Sequence, residues 1–426
     1  IVRLQGMSLR SKGFYVDLAA SVEPGIRVFA IGYPLGSGIS IVSGDVSSAT
    51  GLDQNAAKFT MTAPINEGNS GGPVIDDTGA GAIAVAELTG NTIAVTTITV
   101  GNDSFGIIDI DYQNDNVVDI NDSHALNNID LDNGTTSSFT YTATAGNVTA
   151  TAITTADKAI TITASNGTIA LVNLDTTTGA VDIDATGNIT ITDDVGVTSS
   201  GSAVININSS AGFIRNSATS NGVADIITAG GTITLEANTG IADSTGSAGL
   251  DIDSGTGAIS LTHDGTSNGT FVDYISTEGD SFGLTVVATT TSGVVTFDSL
   301  STGTLTLTSV NTAANNLTVT ADGAVIATNV DTTTGSLTLA TSSGTMVLID
   351  VDSSTGAMNI DATLAITVTA VDSTSGVINI ETSGAVDIAI AAGGIATTLS
   401  GGNVIVTADN AAGTITLADG SDKITA

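Results

Sequence analysis

The chain has 426 residues, enough for two or three domains, and it has no Cys and no Trp, which excludes disulfides and thiolate metal sites. Its formal net charge of −35 opposes nucleic-acid phosphates and anionic membranes, and no apolar run is long enough for a membrane span. Aromatic residues are only 3%, which excludes a core of large rings and leaves Ile, Val, Leu and Ala for narrow, regular β interiors. Charge is uneven. Residues 1–100 hold five Lys/Arg and eight Asp/Glu, whereas residues 101–426 hold three and 35. Such an acidic surface, rich in Thr, Ser and Asn, favours cations and solubility and suits an extracellular or cell-surface location. Ile1 is not an initiator Met and the β pattern is still running at Ala426, so the chain reads as a fragment or a processed product.

The first hundred residues are predicted to be strands. Val28-Phe29-Ala30-Ile31-Gly32-Tyr33-Pro34-Leu35-Gly36 is a strand and turn, and Ile41-Val42-Ser43-Gly44-Asp45-Val46-Ser47-Ser48 is a second strand. Phe59-Thr60-Met61-Thr62-Ala63-Pro64-Ile65-Asn66-Glu67 leads into Gly68-Asn69-Ser70-Gly71-Gly72-Pro73, and Val74-Ile75-Asp76-Asp77-Thr78-Gly79 opens a hairpin. Glycines in that central loop allow a tight backbone path and close approach of a ligand. From about Gly25 to Glu87 the segments resemble, in family order, the second barrel of trypsin-like serine proteases of the high-temperature-requirement (Deg) type.

The resemblance implies that Ser70 is the nucleophile and that the backbone N–H groups of Gly68 and Ser70 hold the oxyanion. A Ser needs a His base oriented by a carboxylate. In the family these precede the Ser, in a preceding barrel. No His precedes Ser70 here, since the chain's two are His124 and His263. Both read as ordinary exposed histidines. The carry-over therefore stops at Ser70 and Gly68, and the chain as given is expected to have no peptidase activity.

Residues 101–134 form an acidic junction. Counted from Asp111, oxygens fall at Asp111, Gln113, Asp115, Asp119 and Asp122, with the Val117 carbonyl between them. The spacing resembles the calcium loop of dockerin and EF-hand modules, with an exiting helix after Asp122. Gln113, Asn116 and Asp122 depart from that pattern, and a solvated acidic linker is the competing reading. Ca²⁺ is the one cofactor the sequence suggests.

Residues 135–426 alternate apolar and polar residues in short strands such as Val181-Asp182-Ile183-Asp184-Ala185, separated by Gly turns. Asp175-Thr176-Thr177-Thr178-Gly179 recurs at Asp331–Gly335, Asp352–Gly356 and Asp372–Gly376. A period near 20 predicts the turns of a parallel β-solenoid. About fourteen turns at ~4.8 Å each would make a rod of roughly 70 Å. Ala185, Ala237 and Ala362 fit an interior too narrow for rings. These repeats resemble the solenoid tracts of filamentous haemagglutinin-type bacterial surface adhesins. Tandem Ig-like β-sandwiches are the alternative, but they repeat near 90–100 residues and carry core aromatics. Nine Asn-x-Ser/Thr sequons occur, as chance provides in a chain this rich in Asn and Thr.

The expected fold is thus all-β, a partial trypsin-like barrel half over 1–100 followed by a solenoid. The expected function is a stalk, fibre or matrix filament that self-associates head to tail and meets a host or neighbouring-cell ligand. It would take no nucleic acid and insert in no membrane. A secreted serine protease displayed on a repetitive stalk, with the rest of its triad outside this chain, is the alternative.

Overall fold

The structure is a computed structural model that describes residues 24–25, 27–32, 40–48, 60–63, 73–76, 81–83, 108–109, 118–122, 129–132, 139–417 and 424–425. Within 139–417 it leaves out 145, 156, 193–195, 218–222, 243–248, 266–268, 277–278, 290–292, 385–386, 398–401 and 409–412. Every regular element among the described residues is a strand. The chain divides into two units, one of residues 1–93 with 99–105, the other of 94–98 with 106–426.

The first unit holds a five-stranded antiparallel sheet. Arg27–Gly32 is its centre, paired with Ser40–Ser48 on one side and Pro73–Asp76 on the other. Thr60–Met61 adds outside Ser40–Ser48, and Gly81–Ile83 outside Pro73–Asp76. Alternation puts Val28, Ala30 and Val46 in the buried layer, with Val42 and Met61 packed on them.

The second unit is a parallel β-solenoid, as the repeat predicts. One ladder runs in register from Val148 through Ile169, Ile189, Ile214, Ile241, Thr270, Val295, Leu317, Leu337, Met358 and Ile378 to Val404. That is eleven turns, about 53 Å of ladder at ~4.8 Å each. Both figures are below the fourteen turns and 70 Å expected. The period of 20 holds from Ile169 to Ile189, but Ile241 to Thr270 takes 29 residues, because the corners between strands lengthen there. Strands already stack in parallel within the segment read as a junction. Ile108–Asp109 pairs with Ile129–Asp132, and Val118–Asp122 pairs with Phe139–Ala143.

Outside the middle of the unit a turn typically has one long strand and two short ones. In Ile160–Ala164, Ile169–Leu171 and Leu174–Thr176 every second residue is buried. The buried Ile, Val and Leu column runs the length of the unit, and each such side chain contributes roughly 1.5–3 kcal/mol by leaving water. The recurring Asp-(Thr/Ser)-x-x-Gly has a specific task at the end of the second short strand. Its Asp faces out and its Thr or Ser turns in, and at Thr176, Ser353 and Ser373 the hydroxyl binds the turn that follows, whereas Thr332 Oγ1 finds no partner among the described residues. The Gly179 N–H donates to Thr176 Oγ1 at 2.9 Å and the Gly376 N–H to Ser373 Oγ at 2.7 Å. The glycine lies directly over the preceding turn. A Cβ on Gly356 would stand 1.8 Å from the Gly335 carbonyl oxygen, so no side chain fits at that approach.

Asparagines fasten successive turns in a similar way. The Oδ1 of Asn147 accepts the Thr168 N–H, that of Asn188 the Phe213 N–H and that of Asn316 the Ser336 N–H. These three asparagines are sequon residues. In each case the Asn stands just before or at the start of a strand and is followed two residues later by an outward Thr.

Midway, the ladders exchange roles. Through Ile259–His263 the long strands form one ladder, and the short pairs, down to Gly240–Ile241 with Leu250–Asp253, form the other. Thr270–Tyr274 then succeeds both short strands as a single long one. On the opposite ladder Phe282–Ala288 passes, with a register shift, to Thr304–Asn311. That strand continues as the short pair Ala324–Ala327 and Val330–Thr332.

Rings fill this zone. Tyr274 stacks on Phe282 with centroids 4.0 Å apart, and Phe282 meets Phe297 at 6.1 Å. The expectation of an interior too narrow for rings holds at Ala185, Ala237 and Ala362, which are buried. It fails here and at buried Phe139 and Tyr141. A flat turn of long strands presents a different interior shape from a cornered one, and large side chains occupy it.

Candidate functional site

The two residues assigned to a protease-like site, Gly68 and Ser70, lie outside the described residues. The structure does place the strands that carry their loop. The chain enters from Thr60–Met61 and leaves into Pro73–Asp76, with Ser40–Ser48 and Arg27–Gly32 between the two. These two flanking strands stand three interstrand spacings apart, about 14 Å.

The entry is tightly fixed. The Thr62 N–H donates to the Asp45 carbonyl at 2.9 Å, and the Asp45 N–H donates to Thr62 Oγ1 at 2.8 Å. Ala63 packs so closely over Gly44 that a Cβ on Gly44 would lie 2.1 Å from the Ala63 nitrogen. The register slips between Val46 and Ser48, and this bulge re-aims the chain toward the loop. On the exit side, Val28↔Asp76 and Ala30↔Val74 hold the strand after Pro73.

Of the residues proposed for calcium, Asp111, Gln113, Asp115 and Val117 also lie outside the described residues. Asp119 and Asp122 lie on Val118–Asp122, opposite Thr140 and Ala143 in a parallel ladder. The backbone there is extended, where the loop reading expects a turn leading to a helix.

His124 is outside the described residues. His263 is not the exposed turn residue its sequence context suggests. It ends the strand Ile259–His263 as the third inward position, is 2% exposed, and stacks between Ala237 and Ala288. The turn starts one residue later, at Asp264. Its Nε2 finds no hydrogen-bond partner among the described residues. Burial holds its pKa below the ordinary histidine value, with Asp264 pulling the other way.

The titratable cluster that sequence reading missed is a set of stacked carboxylates. Asp251, Asp273 and Asp298 occupy one ladder position on three successive turns. Asp331, Asp352 and Asp372 do the same on the other ladder. Burial, then Asp251 and Asp298, push Asp273 up to about 6. Burial, then Asp350, Asp372 and Asp331, push Asp352 up to about 6. Asp372 is also raised, by burial and Asp350. At the head of the first column Asp225 is fully buried. Its carboxylate accepts Asn216 Nδ2 at 3.0 Å on each oxygen and the Asp251 N–H at 3.0 Å. The second column is visible in the repeat itself. The first is hidden by unequal spacing, 22 and then 25 residues.

Residues 4–85 match the family model of the trypsin-like peptidase domain. This is less than a fifth of the 426 residues and contains the antiparallel sheet up to Gly81–Ile83. No curated protein and no solved structure matches the chain.

Proposed function

We propose that this chain is an extracellular structural or adhesive protein, a stalk, fibre or matrix filament, that carries a catalytically incomplete protease-like segment. The supporting observation is the solenoid. Eleven turns in register give a long, regular outer surface of Thr, Ser, Asn and Asp over an aliphatic column, which suits reach and repeated weak contacts. Its acidity fits an extracellular surface and argues against nucleic acid and anionic membranes as partners. No described helix is long and apolar enough to cross a membrane.

Self-association head to tail belongs to this reading. Ile415 and Leu417 stand in register with Ile388 and Ile390, which are fully buried, yet they are 43% and 47% exposed. Further sequence or a second copy stacked on this end would continue the ladder and cover them, and the head-to-tail reading takes the second copy. Electron microscopy of the purified chain tests the reading. Rods that join into filaments, shortened by Ile415→Lys with Leu417→Lys, support it, and uniform globular particles refute it.

A displayed serine protease is the second reading, favoured by the Gly68–Pro73 motif inside the matched segment. Incubation with casein and a fluorophosphonate probe separates the two. The structural reading expects neither cleavage nor labelling. Stoichiometric labelling abolished by Ser70→Ala would establish a working nucleophile. Calorimetry with Ca²⁺ tests the loop reading. A discrete site saturates and is lost in Asp111→Ala, whereas equal response to Ca²⁺ and Mg²⁺ with a silent substitution leaves only diffuse screening.

A further inference from the structure

We propose that the two carboxylate columns, Asp251–Asp273–Asp298 and Asp331–Asp352–Asp372, form a proton-operated clasp that makes the turns they cross harder to open once their charge is removed. The inference rests on the solenoid itself and is independent of any adhesive or proteolytic role.

The geometry is a stack of like charges one ladder step apart, an arrangement that opposes strand pairing. Asp273 faces Asp251 on the turn before and Asp298 on the turn after. Its carboxylate fills the space that a side chain at Gly249 would take, since a Cβ there would stand 2.3 Å from Asp273 Oδ2. Asp298 accepts a hydrogen bond from Thr320 on the next turn. Asp352 faces Asp331 and Asp372, with Asp350 two residues before it on the same corner.

The sequence around the columns is poor in countercharge. From Asn216 to Asp422 the sequence has twenty-one Asp and Glu and neither Lys nor Arg. The one basic side chain in that span, His263, is buried on an inward position. Protons from solution can neutralise them, and a proton shared between stacked carboxylates replaces repulsion with a hydrogen bond.

The sign follows from linkage. Asp273 and Asp352 are raised to about 6 in the folded chain from 3.8. Their contribution is fully present below the unfolded value and is lost as pH rises through 6. Between pH 7.5 and pH 5 the ratio of folded to unfolded molecules should rise severalfold for each of the two groups, up to about tenfold before solvent screening of these part-exposed carboxyls is discounted. His263 opposes this, because its folded pKa is lowered. Stability linked to it falls as pH drops below 6.5.

The experiment is urea unfolding of the full chain from pH 7.5 to 5, for the wild type and for Asp273→Asn with Asp352→Asn. His263 is common to both, so the difference between the profiles isolates the columns. The double variant should be the more stable at pH 7.5 and lack the acid-side gain. Asp175→Asn is the control, because Asp175 has Thr154 and Thr198 as ladder neighbours, and its profile should follow the wild type. Parallel profiles for the wild type and the double variant would overturn the clasp. If the double variant does not fold, infrared titration of the wild type decides. Protonated carboxyl absorption should grow between pH 7 and 5, and its absence until below pH 4.5 refutes the proposal.

Discussion

The two halves of the solenoid are built from the same parts in opposite places. Before Thr270 the long strands share one ladder and the corners the other. After Thr304 the corners stand on the ladder that carried the long strands. Corner length differs too. Thr328-Asn329 and Ile349-Asp350 are two-residue corners in the second half, whereas in the first half the corner grows from Val172-Asn173 to residues 192–196, 217–225 and 242–249. Strand pairing continues through the exchange, with one register shift between Leu284 and Thr285, while the sequence repeat slips by one face. Backbone register and sequence phase are thus separable. Parallel pairing asks only that each turn match its neighbours, so a turn may change its corner provided the interior is refilled.

This contrast can be broken at several points, the most severe being the stacking glycines. Gly356→Val should cost several kcal/mol or prevent folding of the second half, because the branched side chain would start 1.8 Å from the Gly335 carbonyl oxygen. Gly279→Ala is the control, since the nearest heavy atom to its Cβ is 3.7 Å away, and its melting curve should follow the wild type. Next in size is the exchange zone. Phe297→Ala should lose about 3–5 kcal/mol and, in hydrogen exchange, loosen Thr270–Tyr274 and Asn316–Ala321 before distant turns. Uniform loosening along the solenoid would refute the idea that the rings serve the exchange locally.

An acid-side effect comes next. His263 has a lowered folded pKa, so the wild type should lose stability to protonation of this residue as pH falls below 6.5. His263→Leu should remove that loss, seen as a gain over the wild type that grows from pH 7 to 5. The smallest effect is in the tight turn after Thr304–Asn311. Ala313 has a φ of 49°, which costs an L-residue roughly 1–2 kcal/mol. Ala313→Gly should recover part of that, less the entropy glycine loses on folding, and raise the melting temperature slightly.

What the sequence revealed follows the same division. Where corners are short, Asp331, Asp352 and Asp372 recur at nearly constant spacing, and the structure puts them in direct register. Alternation also predicted which faces of Val181–Ala185 and Ile233–Ala237 are buried. Where corners are long, phase was lost, so the turn count was too high and the column of Asp251, Asp273 and Asp298 went unseen. His-Asp-Gly has the look of a turn, yet the inward alternation from Ile259 through Leu261 continues to His263. In the first unit the family segments were legible in order, and the antiparallel strands follow them. Neither the pairing of Gly44 with Ala63 nor the bulge beside it can be read from composition, since both depend on a contact between residues 19 apart.

The exchange of ladders also limits how the chain can be rearranged. A turn taken from Leu317 to Ile378 could be duplicated within its own half, because its corner would meet corners above and below. Transplanted before Ile259, the same turn would present its corner to long strands and its Asp-(Thr/Ser)-x-x-Gly to the wrong neighbour. The solenoid is therefore two interchangeable-part kits joined by an aromatic adaptor at Tyr274, Phe282 and Phe297. Lengthening by whole turns is open to each kit separately, and grafting across the adaptor requires that the adaptor be carried along.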